Sequence, residues 1–267
     1  MNGSKDKHGR HRIGAVSFLN SRPLVYGLRE KADIEVCFDL PSRLPALLDD
    51  GCVDAALTPV VDMLRPGRSW KIVSDACIGC DGETMTVRVF SRTPPDQVKR
   101  IWADQASHTS VALARLIWQE TYGHPLDVCP LDDAARTEDC DAVLLIGDKV
   151  VTAAPYGFTY QTDLGGAWKS LTGLPFVFAV WAAHARTPVG ALPTLLSQAR
   201  DRGVAHAEAI AVREGPGLGW PPAVARTYLT RNLSYTLDGR HRDGMRAFLR
   251  MASQRNIAPS YRELVFT

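Results

Sequence analysis

Short apolar, β-branched segments recur along the first two-thirds of this chain, and helical stretches separate several of them. That alternation constrains the fold more than any other feature. The strand-like segments are 13–17, 34–38, 55–57, 72–73, 85–90, 101–103, 126–128, 142–146 and 176–181, and the helical stretches are 42–50, 60–64, 110–122 and 163–171. Strands that alternate with helices predict an α/β chain with mostly parallel sheets and helices on both faces. Ser42 after Pro41 is an N-cap signal and Gly51 a stop. From Pro188 onward the pattern is helical only, over 192–214, 222–233 and 238–256.

Two places read as hinges. One is Ser91-Arg92-Thr93-Pro94-Pro95, and the other is Ala182-Ala183, after the strand 176–181. A chain that crosses at both has a discontinuous first lobe, 1–91 plus 183–267, and a second lobe, 92–182. Two crossovers and a cleft between lobes are the architecture of type 2 periplasmic binding proteins. Ligands of such sheets sit outside the carboxyl ends of the strands.

With 267 residues, 45% apolar and 22% charged, the chain can build sizeable cores. A net charge of +2 with scattered basic residues gives no nucleic-acid groove. The arginines at 240, 242, 246, 250 and 255 read as a solvated helix face. No apolar run approaches the roughly 20 residues that span a bilayer. Residues 1–12 read as a polar, disordered tail rather than a signal peptide, and the expected location is cytoplasmic. The six cysteines read as reduced thiols, and Cys77-Ile78-Gly79-Cys80 is a lone CxxC without the second pair that a zinc set needs. The glycines of Gly215 to Gly219 follow a helix, not a strand, which argues against a nucleotide loop.

Polar residues gather where strands run into helices. Ser17, Asn20 and Ser21 stand at the first such junction, ahead of Arg22-Pro23. Helix N-termini carry unpaired N–H donors and partial positive charge, so the junction suits an anion; N-capping is the plain alternative. A second junction is Ser107-His108-Thr109-Ser110, where three hydroxyls and several N–H groups could bind a carboxylate and His108 could add a tunable donor or serve only as a cap. Thr58 ends the strand after Asp54-Ala55-Ala56-Leu57 and reads equally as cap or ligand contact. Thr84 and Thr86 flank the entry to the strand ending at Phe90, and Gly147-Asp148 closes the strand 142–146. Asp148 reads as a cap, an orienting acceptor or a general base. Two donor-rich junctions point to two lobes gripping one small acidic molecule. There is no G-x-S-x-G elbow, H-E-x-x-H or P-loop lysine, and no metal site or cofactor is signalled.

Several of these stretches resemble one family. They are Val16-Ser17-Phe18-Leu19-Asn20-Ser21-Arg22-Pro23-Leu24, Asp54-Ala55-Ala56-Leu57-Thr58-Pro59, Ser107-His108-Thr109-Ser110-Val111-Ala112-Leu113 and Leu145-Ile146-Gly147-Asp148. The most specific is Asp163-Leu164-Gly165 through Trp168-Lys169-Ser170-Leu171-Thr172-Gly173-Leu174-Pro175-Phe176-Val177-Phe178-Ala179-Val180-Trp181. Together, in order and spacing over residues 13 to about 255, they resemble the menaquinone-biosynthesis chorismate dehydratases of the futalosine pathway (the MqnA family). The resemblance implies the two-lobed binding-protein fold and the loss of water from chorismate, a dicarboxylate, to give 3-[(1-carboxyvinyl)oxy]benzoate. It implies no metal or organic cofactor. Asn20 is then expected to position the substrate while the substrate's own enolpyruvyl carboxylate takes the proton; Asp148 or His108 as base is the competing version. Substrate contacts are expected from Ser17, Ser21, Thr58, Thr84, Thr86, Ser107, His108, Thr109, Gly147 and Asp148. The rivals are a non-catalytic carboxylate-binding protein of the same fold, the later lyase of the same pathway, and a ligand-sensing domain.

Overall fold

The computed structural model describes residues 10–104, 106–131 and 139–267. Most of the expected tail, 1–9, lies outside these residues; its last two positions are already strand.

The chain opens with β1 (His11–Val16), a 3₁₀ segment Leu19–Val25, β2 (Ile34–Asp39), the short helix α1 (Leu44–Asp49), β3 (Ala55–Pro59), a second 3₁₀ segment Val60–Leu64 and the long β4 (Trp70–Cys80). It then crosses to a second sheet. There it forms β5 (Val87–Ser91), β6 (Arg100–Asp104), α2 (His108–Tyr122), β7 (Asp127–Leu131), β8 (Ala142–Ile146), α3 (Lys149–Thr152), β9 (Tyr160–Asp163) and α4 (Leu164–Thr172). It returns through β10 (Phe176–His184). The remainder is α5 (Leu192–Ala205), α6 (Ala207–Glu214), α7 (Pro222–Thr227), a π-helical turn Tyr228–Asn232, β11 (Ser234–Thr236), α8 (Gly239–Gln254) and β12 (Val265–Phe266).

The first sheet runs β11-β4-β10-β3-β1-β2, with β12 also on β4, and the second runs β7-β6-β8-β5-β9. Both sheets are mixed, not mostly parallel. β1 pairs parallel with β2 and β3, and β6 with β7 and β8. The two strands that enter each sheet directly after a crossing run against their neighbours: β5 is antiparallel to β8 and β9, and β10 to β3 and β4. A strand that arrives from the other sheet, rather than through its own helix, is free of the crossover rule that makes β-α-β strands parallel.

The sheets divide the chain at other points than the expected 1–91 plus 183–267 and 92–182. Strand 87–91 pairs in the second sheet, and 176–182 in the first. The C-terminal part, expected to be helical throughout, also supplies β11 and β12 to the free edge of β4. The expected helix 192–214 is broken at His206 into α5 and α6.

Buried apolar residues of both sheets form one main core, and Phe90, Val143 and Leu145 of the second sheet form a separate smaller cluster with Cys140 and Val150. Trp168 anchors the return crossing: fully buried, it packs edge-on against Phe176 and Phe248, and its indole N–H donates to the Pro175 carbonyl. No helix among the described residues is long and apolar enough to cross a membrane.

Candidate functional site

A narrow cleft, with a cavity of about 50 Å³, lies where the carboxyl ends of β1, β3, β8 and the start of β5 approach one another. Val16, Phe18, Asn20, Pro41, Pro59, Ile78, Phe178 and Ala179 line it from the first-sheet side. Thr84, Thr86, Val87, Ser107, Ser110, Ile146 and Gly147 line the facing wall, and Tyr228 and Leu233 close it from the C-terminal segment. Among the described residues, these walls carry hydroxyls, one carboxamide and backbone groups but no charged side chain.

Asn20, Thr84, Thr86, Ser107 and Gly147 of the expected residues meet at this cleft. Ser107 caps α2: its hydroxyl accepts from the Ser110 N–H (3.2 Å) and donates to the Ser110 hydroxyl (2.8 Å). Asp163 fixes Thr84 by accepting its backbone N–H at 2.9 Å and that of Met85 at 2.8 Å. The same carboxylate caps α4 through Gly165 and Gly166. Thr86 shares a 2.7 Å hydrogen bond with the Tyr228 hydroxyl. Gly147 has φ +66°, and a Cβ there would stand 2.6 Å from the Phe18 ring, so glycine is what lets the two lobes touch.

The other six lie behind or beside the cleft. Ser21 is buried, and its hydroxyl donates to the Val16 and Phe18 carbonyls, a purely local tie. Ser17 gives its carbonyl to Arg22 at 3.2 Å. Thr58 is buried on the opposite face of β3 from Pro59, because alternate strand residues face opposite ways. The Thr109 hydroxyl accepts from the Val61 N–H at 3.4 Å and ties α2 to the first sheet's 3₁₀ segment. His108 turns into an open neighbouring groove, where Nδ1 lies 2.7 Å from the fully buried carboxylate of Asp62, which Arg65 also holds at 2.5 Å.

Asp148 does the most unexpected thing. Its Oδ1 accepts from the backbone N–H of Leu19 (3.2 Å) and from the Trp220 indole (2.9 Å). The first donor of the Leu19–Val25 segment, expected to hold a ligand anion, is therefore taken by a carboxylate of the other lobe. Burial pushes the Asp148 carboxyl above its usual range, and these two bonds and Arg22 only partly oppose that.

Ser110, Phe18, Phe178 and Tyr228 line the cleft beside the expected residues. Ser110 stands inside the second junction and Phe18 inside the first, but Phe178 and Tyr228 reach the cleft by tertiary packing. Tyr228 is fully buried and stacks on Trp220 (4.8 Å between rings, 16°). Cys77 and Cys80 lie buried in β4; burial raises both thiols, Cys80 to about 12, so neither is a reactive thiolate.

Two mixed α/β sheets, two crossings and an interposed cleft define a two-lobed ligand-binding fold. The chain aligns with a protein of Archaeoglobus fulgidus at TM-score 0.72 and 16% identity, covering 94% of this chain and 100% of that one. It also aligns with the alkanesulfonate-binding protein of Xanthomonas axonopodis pv. citri bound to MOPS, at TM-score 0.67 and 14% identity over 94% and 95% of the two chains. A Candida albicans protein described as having the generic periplasmic binding protein fold aligns at 0.63, with 13% identity over 92% and 90%. The chain belongs to the menaquinone biosynthesis family, whose model matches residues 11–254. A relative from Thermus thermophilus, named chorismate dehydratase, is 29% identical over 253 residues, 88% of this chain and 93% of that protein.

Proposed function

We propose that this chain is a chorismate dehydratase, a hydro-lyase that converts chorismate to 3-[(1-carboxyvinyl)oxy]benzoate and water in menaquinone biosynthesis. The observation that carries the reading is a hydroxyl- and amide-lined cleft between the sheets of a chain of the menaquinone biosynthesis family. The named Thermus thermophilus relative supports the particular reaction.

The lobes of this reading are those of the sheets, roughly 10–80 plus 176–267 and 81–175. Ser107, Ser110 and the first N–H groups of α2 form one donor cluster for a carboxylate, and Thr84 and Thr86 form another. Removal of the ring C3 hydrogen places charge that spreads to the ring carboxylate, and donors clamped on that group stabilise it. Loss of the C4 hydroxyl then makes the ring aromatic. Asn20 positions the substrate, and the enolpyruvyl carboxylate of the substrate takes the proton. This version is favoured over an Asp148 or His108 base, because Asp148 is bonded to Leu19 and Trp220 and His108 to Asp62 outside the cleft. A cytoplasmic location accompanies a biosynthetic role.

The test is to incubate the purified protein with chorismate and follow it by chromatography and mass spectrometry. Loss of one water to a carboxyvinyloxy-benzoate is expected. Chorismate recovered unchanged, yet bound, would reduce the protein to a carboxylate-binding one.

A further inference from the structure

Asn20 presents a carbonyl oxygen, Oδ1, that is buried yet has no hydrogen-bond partner among the described residues. A buried acceptor without a donor is costly, and in a ligand cleft it marks where a ligand donor belongs. A carboxylate cannot satisfy it, since both are acceptors; a hydroxyl can. Asn20 and Tyr228 line the same cleft, and while burial raises the Tyr228 phenol, Thr86 and Asn20 as hydrogen-bonding neighbours partly oppose that rise. Tyr228 is itself immobilised, by the 2.7 Å bond to Thr86 and by stacking on Trp220. It opens a π-helical turn, a local geometry that recurs at functional sites.

We propose that Tyr228 is a positioning residue: tethered to Thr86, it holds the Asn20 carboxamide so that Oδ1 takes the hydrogen of the substrate's departing hydroxyl. The inference rests on the dehydratase reading and gives Asn20 its atomic role. With the O–H hydrogen committed to Oδ1, a lone pair of that oxygen is turned towards the proton arriving from C3. The C3–H bond breaks and its proton passes through the substrate's side-chain carboxyl to the C4 oxygen. The C4–O bond then breaks. The water that leaves carries the original hydroxyl hydrogen and the former C3 hydrogen, and no oxidant or reductant takes part.

The test is a double-mutant cycle with Tyr228→Phe and Asn20→Ala, read as separate kcat and KM values for chorismate. Tyr228→Phe keeps the ring and its stacking. It is expected to lower kcat by about tenfold or more with KM near the wild-type value, an orientation loss rather than a binding loss. In the Asn20→Ala background the same change should cost no further rate, because Tyr228 acts only through Asn20. Inhibition by the product, which lacks the hydroxyl, should be the same in Tyr228→Phe and wild type. An unchanged kcat in Tyr228→Phe, or losses that multiply in the double variant, overturns the proposal while leaving the dehydratase reading intact. A wild-type protein inert to chorismate overturns both. Should Tyr228→Phe fail to fold, Thr86→Val carries the same kcat test by freeing the phenol from its tether.

Discussion

Gly147 and Asp148 stand side by side at the end of one strand, and both bear on the closed cleft. Gly147 permits contact, since any Cβ at its positive φ would strike Phe18. Gly147→Ala is expected to cost about 1–3 kcal/mol in urea unfolding and to depress turnover by pushing Phe18 into the cleft. Asp148 fastens the contact but is a poor anion there. A carboxyl whose folded pKa is raised favours folding below the unfolded value of 3.8 and loses that advantage as pH rises through its folded value. Asp148→Asn keeps an acceptor for Leu19 and Trp220 and removes the buried charge. It should therefore melt higher than wild type at pH 7, and the difference should vanish as pH falls towards 3.8. A difference that persisted at low pH would refute the buried-charge account. Asn20, Thr84, Thr86, Ser107 and Gly147 were legible because strand-end polar residues in α/β sheets face the ligand crevice. Tyr228 was not legible, because nothing local tells a core aromatic from a cleft wall.

At the scale of elements, the stretch from Asp163 to Trp181 is the longest of the family-like motifs, and its structure explains it as a joint more than a ligand contact. Asp163 caps α4 and at the same time holds the outgoing crossing, where Met85 sits at φ +69° without being glycine. Asp163→Ala should cost about 2–4 kcal/mol, through a lost cap and two orphaned N–H groups, measurable by chemical denaturation. Met85→Gly relaxes the left-handed backbone and should leave stability within about 1 kcal/mol of wild type. If Asp163→Ala left stability unchanged, the joint would have another support. The helix over 163–171 and the strand 142–146 were readable from the alternation of helical stretches with apolar, β-branched runs. The short β9 and β11 were not, since three or four residues of edge strand carry too little periodicity to register.

For the molecule as a whole, two lobes, an alternating α/β pattern and two crossings were readable in advance, whereas the direction of β5 and β10 was not. Pairing direction depends on what a strand meets after a long excursion, and no local pattern encodes that. β10 occupies the interior of the first sheet, between β3 and β4, although some ninety residues of the second lobe separate it from β4 in sequence.

That threading has a consequence for how the protein is born. As the chain leaves the ribosome, β1 to β4 emerge first but lack the strand that fills the sheet's interior. The second sheet draws all five strands from one continuous stretch and can finish by itself. Pulse-labelled amide exchange during refolding should find β5, β6 and β8 protected before β1 and β3, and the reverse order would refute it. The N-terminal strands, with exposed edges, must wait for a partner made later, and during that interval the nascent chain is most in need of a chaperone.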